Sequence, residues 1–182
     1  MPVSLISEST VFASASSYFF DANIWCYIHS PQQAAKHPHE SSQYAKVWAK
    51  IKEAGGCVVV SPLLISEYIN SRLRVYWREW QANNSSSLDF KSFRKKQPKI
   101  YNKSLSTVLK EVADILQDSA IVGDISDINR TNAVMNGMIS NSTDVNDSYF
   151  IELCAQNGFI LITRDKDFKN AKPQVLTYNS NM

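Results

Sequence analysis

Three short apolar runs, SYFF at 17–20, CVVV at 57–60 and FILIT at 159–163, show no alternation between apolar and polar residues. A strand with one wet face alternates. A strand covered on both faces reads as a continuous apolar run, as in a parallel sheet enclosed by helices. AIV at 120–122 is a weaker fourth run. The segments between them carry a helical period. In LLISEYINSRLRVYWREWQ, residues Ile65, Tyr68, Ile69, Leu73, Tyr76 and Trp80 recur three or four positions apart, and Ser61-Pro62 supplies an N-cap and a first-turn proline. DVNDSYFIELCAQNG has the same character, with Ser142 or Thr143 as its cap and Gly158 as a left-handed stop before the last run. YNKSLSTVLKEVADILQD and DISDINRTNAVMNGMI are two further helix candidates. Strands alternating with helices predict an α/β sandwich around a parallel sheet.

The chain has 182 residues, 44% of them hydrophobic and 20% charged, which is enough for one domain with its own core. The expectation is a single domain over 1–182, with about 83–142 as a helical insertion or extension. Within it, NNSSSLDFKSFRKKQPK at 83–99 reads as an exposed, serine-rich and then basic loop. Apolar runs of four or five residues fall far short of the ~20 that span a bilayer, and MPVSLISEST lacks the layout of a secretion signal. Those features predict a cytoplasmic protein without membrane contact. Cys26, Cys57 and Cys154 are an odd set without a CxxC pair, so they read as buried thiols. His29, His37 and His39 lack a third ligand nearby, and KHPHE reads as a solvated loop.

Acids recur where the apolar runs end. Asp21 follows SYFF, Glu67 lies seven residues beyond CVVV on the next helix, Asp165 and Asp167 follow FILIT, and Asp147 opens the helix feeding that run. Ligands of open parallel sheets bind beyond the carboxyl ends of the strands. Carboxylates gathered there repel one another and lose solvation, and a divalent cation relieves both costs. An all-oxygen donor set without a nearby cysteine or histidine group favours Mg²⁺ or Mn²⁺ over zinc.

FFDANIWCYI, SPLLISEYIN and NDSYFIELCAQNGFILITRDKDF resemble the successive motifs of PIN-domain ribonucleases, especially the toxin subunits of VapBC-type toxin-antitoxin systems. The resemblance covers residues 18–28, 58–70 and 144–168. It implies a PIN-like three-layer α/β/α sandwich with a central parallel sheet, and a Mg²⁺- or Mn²⁺-dependent endoribonuclease. In this match Asp21, Glu67, Asp147 and Asp165 are the catalytic acids, with Asp21, Asp147 and Asp165 as the metal ligands. Asn23 matches the small polar residue that accompanies the first acid, whereas Asp144, an extra acid three residues before Asp147, and Asp167, in the turn after the last run, are supporting candidates by their placement in the sequence. The resemblance also implies an RNA substrate and a cognate antitoxin, with a homodimer left open.

In such an enzyme an ion held by the acids would activate water for in-line attack at phosphorus, with Asp21 or Asp147 removing the proton. A net charge of +2 announces no nucleic-acid binder by itself, so RNA contact must rest on local charge. Lys91, Arg94, Lys95 and Lys96, followed by Lys99, together with Arg164 and Lys166, are the candidates. Trp77 beside Arg74 and Arg78 reads as a partner-facing anchor, where an acidic antitoxin segment meets Arg74, Arg78 and Lys95. Neither GxGxxG nor GxxxxGK[ST] occurs, which sets aside dinucleotide and P-loop readings. The alternative from another class is a non-catalytic PIN-like module that binds RNA or a protein partner.

Overall fold

A computed structural model describes residues 3–123, 128–141 and 143–182. The apolar runs form β2 (Ser17–Phe20), β3 (Cys57–Val60) and β5 (Ile160–Ile162), the weak run is β4 (Ala120–Ile121), and β1 (Val3–Leu5) and β6 (Val175–Thr177) complete the sheet. Its order is β1-β6-β5-β2-β3-β4, and every pairing is parallel. Tyr18 stands in register with Val58 on one side and Ile160 on the other, so β2 lies near the centre between its two motif-bearing neighbours.

Two successive residues of β2 show why the runs do not alternate. Phe20 packs against Trp25 on one side, at a ring-centroid distance of 5.1 Å, and Phe19 packs against Phe150 at 5.2 Å. Neighbouring side chains on a strand point to opposite faces, so both faces of β2 are covered. Trp25 belongs to α1 (Ala22–His29), which packs with α2 (Pro31–Lys36), α3 (Pro38–Glu53) and α4 (Pro62–Asn83). Phe150 belongs to α8 (Val145–Asn157), which packs on α7 (Ile128–Asn141). The architecture is the expected α/β/α sandwich around a parallel sheet.

Helix α4 starts as its sequence directs: Ser61 Oγ accepts the Leu64 N–H at 3.2 Å, and Pro62 opens the first turn. Its rotation is fixed by a buried clamp. Arg72 donates through Nε and Nη2 to the two oxygens of Glu111, each at 2.8 Å, and the Tyr68 hydroxyl donates to the same carboxylate at 2.7 Å. Glu111 lies on α6 (Pro98–Gln117), so the clamp joins α4 to α6, while Arg72 Nη2 also reaches Gln32 on α2. Tyr68 is the residue after Glu67, so the clamp settles which way Glu67 faces.

Several expectations change. Residues 83–99 are not all loop, because Phe90–Lys96 form the short helix α5, capped by Asp89, whose Oδ1 accepts the Ser92 N–H at 2.8 Å. Phe93 is buried and Phe90 packs on the core, which gives this polar stretch two apolar anchors. Pro38 starts α3 with His37 as its N-cap position, so His37 and His39 belong to a helix start rather than a loop. Cys26 and Cys154 are buried as expected, whereas Cys57 is exposed at the first residue of β3. No helix among the described residues is long and apolar enough to cross a membrane.

Candidate active site

Asp21 is the first residue beyond β2, and its N–H continues the ladder by donating to the Ile162 carbonyl at 3.0 Å. That bond holds the backbone at the strand end and leaves the side chain at the carboxyl edge of the sheet. Asp21 is only 3% exposed, and its carboxylate closes no capping bond on α1. Its Oδ2 instead accepts the Thr163 hydroxyl at 3.0 Å, and Asn23 Nδ2 stands 3.4 Å from the same oxygen. Burial pushes the Asp21 carboxyl up to about 6, and the Asp165 charge adds to the rise against the pull of the Thr163 hydroxyl.

Glu67 reaches the edge from the second turn of α4 and is half-buried. Its Oε2 accepts Asn146 Nδ2 at 3.1 Å, which ties α4 to the start of α8. Burial, reinforced by the charges of Asp21 and Asp144, raises its carboxyl to about 7. Asp147, in the first turn of α8, is also half-buried. Burial raises it to about 7 as well, with repulsion from Asp144, Asp21, Asp165 and Glu67 in descending order. One carboxylate thus feels four others that arrive from β2, α4, α8 and the end of β5.

The remaining acids divide between structure and site. Asp144 is the N-cap of α8, where its Oδ1 accepts the Asp147 N–H at 2.9 Å. The expected cap at Ser142 or Thr143 is therefore replaced by Asp144. Ser142 lies outside the described residues, and the Thr143 hydroxyl pairs with Ser148. Gly158 does terminate α8 in the left-handed region, at φ 66°. Asp165 caps the single 3-10 turn Lys166–Phe168 by accepting the Asp167 N–H at 3.1 Å, and its own N–H donates to Thr163 Oγ1 at 3.0 Å. Asp167 is exposed beyond it.

Sequence reasoning missed two contributors. Thr163 bridges Asp21 and the Asp165 backbone, and its signal was a lone hydroxyl closing an apolar strand. Asn146 links Glu67 to α8, and its only signal was adjacency to Asp147. Among the described residues no three His, Cys, Asp or Glu side chains are already arranged to hold a metal ion. Mutual repulsion opposes the close approach of unneutralised carboxylates.

The cations occupy two places. Arg164 and Lys166 stand beside Asp165, and Arg164 pairs with Glu40 at 3.1 Å and donates to the Tyr27 hydroxyl at 3.3 Å. Lys91, Arg94, Lys95, Lys96 and Lys99 are exposed on α5 and the first turn of α6. The expected partner anchor on α4 is engaged within the chain. Trp77 donates Nε1 to the Leu88 carbonyl at 2.9 Å and packs edge-on against Phe90, and the Arg74 guanidinium lies 5.1 Å from the centre of the Phe90 ring. Trp80 packs on Phe93 at a centroid distance of 4.9 Å.

A family model described as "PIN domain" matches residues 18–172. Among solved structures the fold resembles VapBC2 from Rickettsia felis, solved bound to a DNA fragment from their promoter. That match has 14% identity, covers 88% of this chain and 96% of that chain, and has a TM-score of 0.53. PAE2754 from Pyrobaculum aerophilum also aligns, at 14% identity over 93% of this chain and 88% of that chain, with a TM-score of 0.49. No curated protein matches the chain. The matched span includes all of β2 but its first residue, β3, β5, α4 and α8, and all four converging acids, and the chain belongs to the PIN domain family.

Proposed function

We propose that this chain is a Mg²⁺- or Mn²⁺-dependent endoribonuclease, a single 182-residue PIN unit extended at residues 83–142, acting as the toxin of a toxin-antitoxin pair in the cytoplasm. The observation that carries the reading is geometric: Thr163 bridges Asp21 and the Asp165 backbone, and Asn146, the neighbour of Asp147 at the start of α8, holds Glu67, so four acids from distant segments meet at one edge through the fold. PIN domains are in general ribonucleases that use divalent metals. The donor set suits such an ion in kind, since Asp21, Asp147 and Asp165 offer carboxylate oxygens alone.

A divalent cation held by Asp21, Asp147 and Asp165 would supply charge neutralisation at the scissile phosphate and a lowered pKa for water at the edge. The chain's own residues do the rest. The Thr163 hydroxyl fixes Asp21 through Oδ2, and Asn23 supports the same oxygen. Asn146 holds Glu67 against the start of α8. Asp21 or Asp147 accepts the proton from the attacking water. Asp144 and Asp167 add negative potential at the rim. Lys91, Arg94, Lys95, Lys96 and Lys166 supply phosphate contacts that offset it, whereas Arg164 is held by Glu40 and the Tyr27 hydroxyl.

The VapBC2 likeness supports an antitoxin partner in this reading, with an acidic segment meeting the exposed cations of α5. The test is cleavage of single-stranded RNA by the purified protein after chelation and after return of Mg²⁺ or Mn²⁺. Cleavage that vanishes in EDTA and returns with either ion supports the proposal. Cleavage indifferent to EDTA, or no cleavage under any condition, contradicts it.

A further inference from the structure

A polar cleft of about 650 Å³ adjoins the acids on the side of β5 and shares Asn23 and Asp165 with them. Its other walls come from Tyr27 on α1, Arg164, Lys166 and the exposed Asp167 at the 3-10 turn, and Asn179 and Asn181 after β6. The volume falls within the range of small-ligand pockets. What distinguishes the cleft is how firmly its polar walls are built. Arg164 acts as a strut, gripping Glu40 of α3 and the Tyr27 hydroxyl. Asn179 donates Nδ2 to the Arg164 carbonyl at 2.9 Å, while its Oδ1 accepts the Asn181 N–H at 3.1 Å. The segment after β6 is thereby fastened to the loop that carries Asp165.

Three groups remain available for a ligand. The Tyr27 ring lines the cleft with Tyr44 parallel to it within 13° at 5.9 Å and His37 nearly perpendicular to it at 5.7 Å, so a base laid on Tyr27 would extend an existing aromatic cluster. The Asn181 side chain is exposed and makes no hydrogen bond among the described residues, so it offers both a donor and an acceptor. Lys166 is an exposed cation on the wall nearest Asp165. An aromatic platform, an amide with both hydrogen-bonding senses and an ammonium group match a base, a base edge and a phosphate in turn.

We infer that the cleft is the subsite for the nucleoside adjoining the cut, with its base stacked on Tyr27 and read by Asn181, and the next phosphate held by Lys166. This rests on the ribonuclease reading above and adds a base preference to it. The cleft is open to unpaired RNA, because a base within a duplex has no free face to lay on the tyrosine.

The test has two arms. Labelled single-stranded RNA is titrated by fluorescence anisotropy into the Asp21→Asn protein with Mg²⁺ present, with and without Tyr27→Leu or Tyr27→Phe. Stacking predicts about tenfold weaker binding for Tyr27→Leu, and near-parental binding for Tyr27→Phe, which keeps the ring. In the second arm the ends produced by the parent and by Asn181→Ala, otherwise unaltered, are sequenced. The parent is expected to favour one base beside the cut, and Asn181→Ala to flatten that preference. A natively folded Tyr27→Leu that binds as its parent does, with an unchanged base distribution for Asn181→Ala, overturns the cleft assignment while leaving the nuclease reading intact. A parent protein that neither binds nor cuts RNA overturns both.

Discussion

The carboxyl edge of the sheet and the α5–α6 corner carry opposite charge and are built in opposite ways. At the edge, Asp21, Glu67, Asp147 and Asp165 come from four separated segments, and burial raises the carboxyls of Asp21, Glu67 and Asp147. At the corner, Lys91, Arg94, Lys95, Lys96, Lys99 and Lys103 lie within one local stretch and are all exposed. The whole chain has 19 cations and 17 acids, and no acid lies between 91 and 103. Removing those six cations leaves 13 against 17, so the rest of the molecule is net acidic by four. The two regions share α4, along which Glu67 and Trp77 are ten residues, or about 15 Å, apart. The comparison shows that charge held by tertiary convergence is desolvated and suited to chemistry, whereas charge held locally on a helix surface is solvated and suited to attraction at a distance.

The largest expected effect lies at the edge. Asp21→Asn keeps the shape and the Thr163 hydrogen bond but removes a charge, and should lower RNA cleavage by about 10²–10⁴-fold. Its melting temperature without metal at neutral pH should equal or exceed that of the parent, because a repelled, buried carboxylate is gone. Cleavage within a few-fold of the parent would break the assignment of the edge.

Next in size is the clamp that joins the two regions. Glu111→Ala leaves Arg72 buried without its carboxylate and should destabilise the fold by about 3–5 kcal/mol. Chemical denaturation measures it, and a loss below about 1 kcal/mol would mean that α4 is held mainly by its apolar packing. A Lys95→Glu, Lys96→Glu double substitution should act only at the corner. It is expected to raise KM for RNA with little change in kcat, and to make the logarithmic salt dependence of binding shallower by about 0.7 for each phosphate that is no longer neutralised. A fall in kcat with unchanged KM would contradict the division of labour between the regions.

The smallest effect is a pH dependence of the metal-free protein. Asp21 rises from 3.8 to about 6, Glu67 from 4.5 to about 7 and Asp147 from 3.8 to about 7 on folding. The folded state therefore holds protons that the unfolded chain releases. The stabilising contribution is complete below about pH 4 and is lost as pH rises through about 6 to 7. Melting temperatures measured in EDTA should fall from about pH 5 to about pH 7.5 for the parent and fall less for Asp21→Asn. Equal slopes for the two proteins would remove Asp21 from the coupled set.

These regions also differ in how legible they are before folding. The edge acids stand out because each follows an apolar run or opens the helix feeding one, so topology alone brings them together. Thr163 and Asn146 do not stand out, because their roles depend on side-chain direction across residues 142 and 79 positions apart. Strands β1 and β6 have three residues each, too few to show a pattern. Helix α5 is hidden by its serines and lysines, and its existence depends on Phe90 and Phe93 finding Trp77, Trp80 and Tyr101. Trp77 reads as a partner anchor for the same reason: the ring that covers it lies on a helix the local sequence does not announce.

The central claim is that the edge acids form one metal-dependent site, and ion-linked stability tests it without relying on turnover. Melting curves of the parent and of Asp21→Asn are compared as Mn²⁺ or Mg²⁺ is raised from zero. Ion at about 100 times its dissociation constant should stabilise the parent by about 2.7 kcal/mol, and the same concentration should shift Asp21→Asn far less. Equal shifts in the two proteins, or no shift in the parent at any concentration, would contradict the account.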